Sequence, residues 1–381
     1  MDPVERLIAA ESPERAEHVL VVNAPGLVEA ARRAAPRVSL WCDDRRDAGT
    51  VPAELLLEDF DESSLAGVDL VWLRLPKALS ALDDDAERIA AWADPRVRIV
   101  SAGRQRAMTH SMNDVLGRHF DTVSASLGVA KCRALRASGP RRRRLRWPRE
   151  RTHPELGIGV IAHGEVFATN RVDDGTRLLA ELCPDIHGDE LLDLGCGSGV
   201  LATLLARANP GARVRAVDVS RAAVASTLLT AEANGVAVEA HWAAALHDWP
   251  PECLDVIVTN PPFHRGIAKD SEPALAMFDD AARLLRPGGC GASTTRTCPG
   301  AGGWPRRSAR RSSSGRTPST RSPARSPAEN RPCSGERSPS RRTSAPRRPP
   351  GPRRPVPDAA TSRTPDFGTP RRARIAVIVR P

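Results

Sequence analysis

Residues 193–199 read Asp-Leu-Gly-Cys-Gly-Ser-Gly and stand where a buried-strand pattern changes into a helical one. Glycines at such a turn let the backbone approach a ligand closely, and the helix that follows presents N–H groups without intrahelical partners. Asp218 ends the next strand, where a carboxylate can accept hydrogen bonds from two ribose hydroxyls. The glycine spacing is not G-x-G-x-x-G, which counts against a nicotinamide cofactor. We expect a ligand at this turn; the alternative is a tight turn in a doubly wound domain.

A second motif, Asn260-Pro-Pro-Phe263, follows the strand pattern Leu254–Val258. Open α/β sheets bind ligands at the carboxyl ends of their strands, which is where this motif falls. Pro261 and Pro262 lack N–H donors, so the backbone carbonyls around them can face a substrate amine. The Asn260 side chain adds another carbonyl, and Phe263 offers an aromatic face for a planar group. The motif indicates binding of a planar amine; its structural alternative is a strand terminator.

The elements that must position these residues alternate between strands and helices. Such alternation predicts a parallel α/β sheet in each half of the chain. The predicted strands are Val19–Val22, Val38–Trp41, Val68–Leu73, Val97–Val100, Leu191–Leu194, Val214–Val217, Val236–Trp242 and Leu254–Val258, and the predicted helices are Leu27–Ala35, Ala86–Ala93, Val200–Ala208, Ala222–Ala233 and Pro273–Leu285.

The two halves of the chain look like a weak internal duplication. Strand, turn, helix, strand and acid follow one another in both, with Asp43 in the first half where Asp218 stands in the second. The first half lacks the glycines and has Leu75-Pro-Lys77 where the second has Asn-Pro-Pro-Phe. These differences predict a degenerate, non-catalytic first copy.

Charge is distributed unevenly along the chain of 381 residues. Its formal net charge is +10, but residues 290–381 hold 21 Arg and only 4 acidic residues, together with 16 of the 34 prolines and no Leu. Such a composition cannot bury enough apolar surface to offset its ordering entropy, so it predicts a disordered tail. Residues 136–155 carry a second arginine cluster, interpreted as a solvated basic linker, with a phosphate contact as the alternative.

Other classes of protein are disfavoured by simple features. The first residues do not form a secretory signal, and no apolar run approaches the 18 residues of a membrane span. The eight cysteines form no C-x-x-C pair and no metal-ligand spacing, so no metal site is expected. A cytoplasmic protein with reduced thiols is the expectation.

Together the motifs resemble class I S-adenosylmethionine-dependent methyltransferases that methylate exocyclic amines. Residues 1–289 resemble more closely the ribosomal RNA small subunit methyltransferase C type, which joins a degenerate methyltransferase domain to an active one. Besides the two motifs, the resemblance rests on Glu165-Val-Phe-Ala168, Asp173–Leu179, His264-Arg-Gly266 and Leu75-Pro-Lys77. It implies two tandem Rossmann-like α/β methyltransferase domains, with bounds 1–135 (degenerate) and 156–289 (catalytic), the linker 136–155 and the tail 290–381.

The resemblance also implies roles for individual residues. The cofactor would be S-adenosylmethionine, with Asp218 at its ribose and the following residues at its methionine end: Asp193, Gly195, Cys196, Gly197 and Gly199. Asn260 and the Pro261 carbonyl would accept hydrogen bonds from the target NH₂, next to Pro262, and Phe263 would stack on the base. Phe167 would help to cover the pocket. Ala243, Ala244 and Ala245 stand where the family has a polar contact to adenine; His247 or Asp248 are the candidates to replace it.

The implied reaction is methylation of guanine N2 in small-subunit ribosomal RNA. Adenine N6 or a glutamine amide is an alternative target, and an inactive RNA-binding protein is an alternative of another class. The implied partner is ribosomal RNA or the small ribosomal subunit, with no membrane contact, and a monomer is expected. Because the tail begins inside the second domain, we expect the last three strands of its sheet to be missing. A reading-frame shift after codon 289 would explain this; a disordered RNA-binding tail is the alternative.

Overall fold

The computed structural model describes residues 1–13, 15–260, 281–293 and 376–379. The first half forms a six-stranded sheet of order β2-β1-β3-β4-β6-β5, in which β6 runs antiparallel to both of its neighbours, β4 and β5, and the other neighbouring pairs are parallel. Its strands are β1 His18–Val22, β2 Arg37–Trp41, β3 Leu70–Arg74, β4 Arg98–Arg104, β5 Phe120–Ala125 and β6 Cys132–Pro140, and its α-helices are α1 Pro3–Ala10, α2 Val28–Ala34, α3 Arg45–Ala48, α4 Glu62–Leu65, α5 Leu79–Trp92 and α6 Ser111–His119.

The second half begins with an antiparallel hairpin, β7 Arg149–His153 with β8 Ile158–Ala162. Its main sheet has the order β11-β10-β9-β12-β13-β14, parallel except for β14. The strands are β9 Glu190–Leu194, β10 Arg213–Asp218, β11 Glu239–Trp242, β12 Leu254–Thr259, β13 Leu285–Ser293 and β14 Ala376–Val379, and the α-helices are α7 Asp174–Ala180, α8 Val200–Ala208 and α9 Arg221–Ala233.

Both faces of the first sheet are covered at its central strands, which explains why β1 and β3 are nearly continuous apolar runs. Successive side chains of a strand point to opposite faces. In β1, Leu20 and Val22 pack into the cluster formed with α5 and α6, whereas Val19 and Val21 pack into the cluster formed with α1 and α2. All four are at most 1% exposed.

Five of the six strands in each sheet follow the same order, and β5 and β11 have no counterpart in the other sheet. In the first sheet β1 lies between β2 and β3, and in the second β9 lies between β10 and β12. At one end of this parallel part, β4 pairs with antiparallel β6, and β13 pairs with antiparallel β14. The duplication predicted from the sequence is therefore visible as matching strand orders. The equivalences are β1 with β9, β2 with β10, β3 with β12, β4 with β13 and β6 with β14.

The β7–β8 hairpin lies against α9 through polar contacts. The backbone N–H groups of Gly159, Ile161 and His163 donate to Asn234 Oδ1 at 3.1 Å, Thr230 Oγ1 at 3.0 Å and Ser226 Oγ at 3.0 Å. These acceptors are spaced four residues apart, so they share one face of α9. The helix thus binds a strand edge with side-chain oxygens.

The arginine cluster and the linker differ from their interpretation. The range 136–155 includes the end of β6 and all of β7, so the first sheet extends to Pro140. Between these strands, the Arg146 Nε donates to Glu87 Oε1 at 2.9 Å, and Arg149 Nη2 lies 2.9 Å from Asp83 Oδ2. Because both carboxylates are buried in α5, these two arginines anchor the connection, whereas Arg142, Arg143 and Arg144 are exposed as expected of a solvated linker.

The end of the second sheet also differs from the expectation. Residues Cys290–Ser293 belong to β13 and pair with Val256–Thr259 of β12, so the strand that carries Asn260 is not an edge. β13 and β14 are two of the three strands that we expected to be missing. Leu285, predicted to end a helix, begins β13. The predicted disorder of the tail lies outside the described residues.

Candidate cofactor and substrate site

The turn between β9 and α8 has the backbone conformation that its glycines allow. Gly195, Gly197 and Gly199 have φ angles of 78°, 55° and 78°, a left-handed region that other residues adopt only at a cost. The N–H of Gly195 donates to the carbonyl of Val217 at 2.8 Å, which ties the turn to the end of β10.

Two of these glycines meet very different surroundings. A Cβ on Gly199 would lie 2.7 Å from the Cα of Thr227, because α9 approaches the turn closely at this point. A Cβ on Gly197 would have no heavy atom within 4 Å among the described residues. Gly199 therefore serves helix packing, whereas Gly197 faces open space in which a ligand can lie.

Asp193 supports the turn from below. It is 1% exposed, and its Oδ2 accepts a hydrogen bond at 2.9 Å from the N–H of Ala202 in the first turn of α8. Its Oδ1 is buried without a hydrogen-bond partner among the described residues. Burial raises the pKa of this carboxyl to about 7, and the charge of Asp218 adds to the shift.

Asp218 joins the glycine turn to the start of α9. Its Oδ2 accepts from the N–H of Gly197 at 3.0 Å and its Oδ1 from the N–H of Ser220 at 2.9 Å. Burial raises its pKa, although these two backbone donors act in the opposite direction. The carboxylate is thus fixed in one orientation, with lone pairs left over because each oxygen can accept two hydrogen bonds.

Cys196 enters the site differently from the prediction. Its side chain is buried in the core beneath the turn, where Thr227 Oγ1 lies 3.1 Å from its Sγ. Burial raises the pKa of the thiol well above its ordinary value, so the thiol stays protonated and unreactive. Only the backbone of Cys196 belongs to the surface of the turn.

Asn260 ends β12 and docks on the first turn of α7. Its Nδ2 donates to Asp173 Oδ1 at 3.1 Å and to Thr176 Oγ1 at 3.0 Å. Asp173 is the N-cap of α7 and accepts from the N–H groups of Gly175 and Thr176. A carboxylate only accepts, so this contact requires the amide nitrogen of Asn260 to face it.

The electrostatics of this cluster favour ionised Asp173. Burial opposes ionisation, but hydrogen bonds from Thr176, Asn260 and Gly175 outweigh it and hold the pKa of Asp173 below its ordinary value. Gly175 is required for the close approach: a Cβ there would lie 2.5 Å from Asn260 Oδ1. The sequence analysis assigned no role to these residues, although an Asp directly before a helical segment is a typical N-cap.

The strand register brings the two motifs together. Thr259 of β12 pairs with Leu194 of β9, so Asn260 stands beside Gly195 on neighbouring strands. Adjacent parallel strands are about 4.8 Å apart, which puts the Asn260 end of β12 within reach of a ligand held by the glycine turn. The predicted residues Pro261, Pro262 and Phe263 lie outside the described residues.

Comparison with known proteins decides the family. Residues 157–291 match the Methyltransferase small domain and residues 48–141 the RLMG N-terminal domain. The ribosomal RNA large subunit methyltransferase G of Streptomyces coelicolor is 32% identical over 268 residues, which cover 68% of this chain and 70% of that protein. The chain belongs to this family of two-domain ribosomal RNA methyltransferases.

Two further relatives are named for different ribosomal subunits. The large subunit methyltransferase G of Streptomyces avermitilis is 34% identical over 64% of this chain and 66% of its own length. The small subunit methyltransferase C of Hahella chejuensis is 41% identical over 32% of this chain and 36% of its own length. The chain therefore spans about two thirds of the first relative and about a third of the second. The predicted small-subunit type is not confirmed.

A solved structure supports the fold. The T. thermophilus 16S rRNA methyltransferase RsmC, in complex with AdoMet and guanosine, has a TM-score of 0.63 and 24% identity, covering 77% of this chain and 83% of its own. The predicted class I methyltransferase fold is confirmed. S-adenosylmethionine is the cofactor of this methyltransferase family, as predicted.

The residues of this methyltransferase chain fit that cofactor. A Cβ on Gly197 would meet no described atom, Asp193 Oδ1 has no hydrogen-bond partner among the described residues, and both oxygens of Asp218 can accept a further hydrogen bond. The two candidates for an adenine contact, His247 and Asp248, are 74% and 87% exposed, with His247 Nε2 at 3.2 Å from Asp248 Oδ1. Their contact with the adenine stays a prediction.

Phe167 stands in a loop before α7 with its side chain 71% exposed. The next two residues, Ala168 and Thr169, both have positive φ angles, which marks a tight left-handed turn. The role of Phe167 in covering the pocket stays a prediction.

Among the described residues, no helix is long and apolar enough to cross a membrane. Within the same residues, no group of three or more His, Cys, Asp or Glu could hold a metal ion.

Proposed function

We propose that this chain transfers a methyl group from S-adenosylmethionine to an exocyclic amine of ribosomal RNA, most specifically N2 of a guanine. The observation that carries the proposal is the position of Asn260, fixed by Asp173 at the end of β12 and adjacent to the glycine turn on β9. An N-methyltransferase requires a hydrogen-bond acceptor for the target amine next to the turn that binds the cofactor.

Positioning accounts for most of the chemistry in this proposal. The sulfonium of the cofactor supplies an activated methyl group when it is bound. The glycine turn and Asp218 hold the donor, while Asn260 and the Pro261 carbonyl accept hydrogen bonds from the target NH₂. These bonds orient the nitrogen lone pair in line with the methyl group, and such orientation can contribute several kcal/mol to the barrier reduction. A base within a duplex must first leave the stack.

We favour large-subunit ribosomal RNA as the substrate. The relatives that match both halves of the chain, such as those from the two Streptomyces species, are named large subunit methyltransferase G. The match to the small subunit methyltransferase C covers only 124 residues. Because residues 48–141 match the RLMG N-terminal domain, the first domain favours the same assignment. Small-subunit RNA is the second candidate, favoured by the RsmC fold match.

The test uses the full chain with methyl-labelled S-adenosylmethionine. Naked 23S and 16S ribosomal RNA and the two assembled subunits are supplied as separate substrates, and the product is digested to nucleosides. We expect N2-methylguanosine from large-subunit RNA. N6-methyladenosine would redirect the proposal to adenine, and label in 16S RNA alone would redirect it to the small subunit.

Two controls separate catalysis from simple RNA binding. Replacing Asn260 by Ala is expected to abolish transfer while the Kd for S-adenosylmethionine, measured by calorimetric titration, stays within about threefold of wild type. If the wild-type chain binds RNA but neither binds the cofactor nor labels any substrate, it is an inactive RNA-binding protein. Label in a glutamine-containing protein substrate would identify the amide as the target.

A further inference from the structure

Asp43 belongs to the first domain, but it contacts the start of α9 in the second. Its side-chain Oδ1 accepts a hydrogen bond at 2.8 Å from the N–H of Ala222, and its backbone carbonyl accepts one at 2.9 Å from the N–H of Arg221. The first N–H groups of a helix lack intrahelical partners, and a carboxylate there also interacts favourably with the helix dipole. Ser220 is the N-cap of α9 and accepts from the N–H of Ala223, and Asp43 adds a second capping group that is supplied by the other domain.

The same contact holds the loop between β10 and α9. The N–H of Arg45 donates to the carbonyl of Val219 at 2.9 Å, and residues Asp44 and Ser220 form an antiparallel bridge. Trp242 Nε1 donates to the carbonyls of both Asp43 and Val219, at 2.9 and 2.8 Å. The carbonyl of Val219 therefore accepts two hydrogen bonds, one from Arg45 in the first domain and one from Trp242 in the second.

This loop is the one that orients Asp218. The N–H of Ser220 donates to Asp218 Oδ1 at 2.9 Å, and the other oxygen takes the N–H of Gly197. Asp43 is thus connected to the Asp218 carboxylate and the glycine turn by hydrogen bonds at both ends and by the covalent backbone from Ser220 to Ala222 between them. Displacing the start of α9 moves Ser220, and with it one of the two donors that fix Asp218.

The internal duplication explains the origin of this contact. Asp43 lies two residues after the end of β2 and Asp218 is the last residue of β10, and these are equivalent strands of the two sheets. The N–H of Asp43 is itself held by Asn23 Oδ1 at 2.8 Å, at the end of β1. The acid that ends this strand in the second domain faces the glycine turn, whereas its counterpart in the first domain binds the second domain.

We infer that Asp43 is a positioning residue for the cofactor site, acting through the α9 N-terminus and Asp218. The inference rests on the proposed function only in taking the glycine turn and Asp218 as the cofactor site. It assigns to the degenerate domain a direct contribution to cofactor affinity. The residue itself touches neither the cofactor nor the substrate.

The test compares three variants of the full chain by calorimetric titration with S-adenosylmethionine. Asp43→Ala removes the cap, and we expect the Kd to rise about fivefold, the loss expected for one helix cap. Asp43→Asn keeps an acceptor oxygen for Ala222 and should stay within twofold of wild type. Asp44→Ala is the matched control: its side chain caps α3 through the N–H of Arg46 and makes no hydrogen bond to α9.

Kinetics give a second readout that general loosening would not produce. In Asp43→Ala the KM for S-adenosylmethionine should rise about fivefold while kcat at saturating cofactor stays within twofold. Should Asp43→Ala fail to fold, Asp43→Glu gives the same test, because its longer side chain misplaces the carboxylate. An unchanged Kd in Asp43→Ala, or an equal rise in Asp44→Ala, overturns the inference. A wild-type chain that binds no S-adenosylmethionine overturns the proposed function instead.

Discussion

The amide nitrogen of Asn260 lies 3.0 Å from the hydroxyl oxygen of Thr176, joining the end of β12 to the first turn of α7. The same hydroxyl donates to Asp173 Oδ2 at 2.7 Å. Thr176 is therefore a bridge between the helix cap and the amide proposed to receive the substrate. Its side chain sets the orientation of Asn260 without being needed at the reacting atoms.

Replacing Thr176 by Val removes this bridge and keeps the shape of the side chain. We expect kcat to fall about five- to tenfold, the effect of one lost hydrogen bond on the population of correctly oriented amide. The KM for S-adenosylmethionine should stay within twofold, because the glycine turn is untouched. Thr176→Ser retains the hydroxyl and should keep nearly full activity. A Val variant with wild-type kcat would show that the bridge does not matter.

Gly175 provides a separate test of the same geometry. An added Cβ would lie 2.5 Å from Asn260 Oδ1 but would sit in a helix, where Ala is favoured over Gly. Gly175→Ala should therefore keep or raise the melting temperature while it lowers kcat about tenfold. Gly117→Ala, in α6 with nothing within 4 Å of the added atom, is the control and should raise stability without changing kcat.

Substitutions in the glycine turn should separate folding from cofactor binding. Gly197→Ala adds a Cβ in open space and costs about 1–2 kcal/mol for the left-handed backbone, so the chain should fold but bind S-adenosylmethionine at least tenfold more weakly. Gly199→Ala bears the same backbone cost and also collides with Thr227. It should unfold at a clearly lower urea concentration than Gly197→Ala. Equal midpoints would contradict the assigned packing role of Gly199.

The buried carboxyl of Asp193 should make stability depend on pH. Its pKa is about 7 in the folded chain, against 3.8 for the ordinary value. Below about pH 4 the group is protonated in both states and has no effect. As pH rises from 4 to 7, the unfolded chain releases this proton while the folded chain retains it, so the free energy of unfolding falls, by at most roughly 4 kcal/mol.

Urea unfolding at a series of pH values measures this effect. The side chain of the Asp193→Asn variant cannot ionise. Between pH 4 and 7 the unfolding free energy of the variant should therefore fall less than that of the wild type. Asn retains an oxygen that can accept from Ala202. Parallel pH profiles for the two proteins would show that Asp193 does not carry a raised pKa.

Local pattern predicted much of the scaffold. The helix Val200–Ala208 was predicted with the bounds that the structure has, and β1, β2 and β9 each agree within one residue. These elements are buried on the side that their apolar period indicates, so sequence spacing alone specifies them. The hairpins β5–β6 and β7–β8 were not predicted. β5 and β6 mix polar and apolar residues without a clear period, β7 consists of polar residues, and β8 is a short apolar run that contains a glycine. The β7–β8 hairpin is held by a distant element, because backbone N–H groups of β8 donate to side chains of α9.

The site shows the same division. The sequence by itself determined a glycine turn, an acid after the next strand and an Asn-Pro-Pro-Phe motif, because each depends on residue types a few positions apart. Only the tertiary structure decided that Asn260 docks on Asp173 and that Asp43 caps a helix 179 residues further along the chain. Such contacts join positions whose distance is fixed by strand order and domain packing. No local propensity records them, since an Asp that caps a neighbouring domain looks like any other Asp at a strand end.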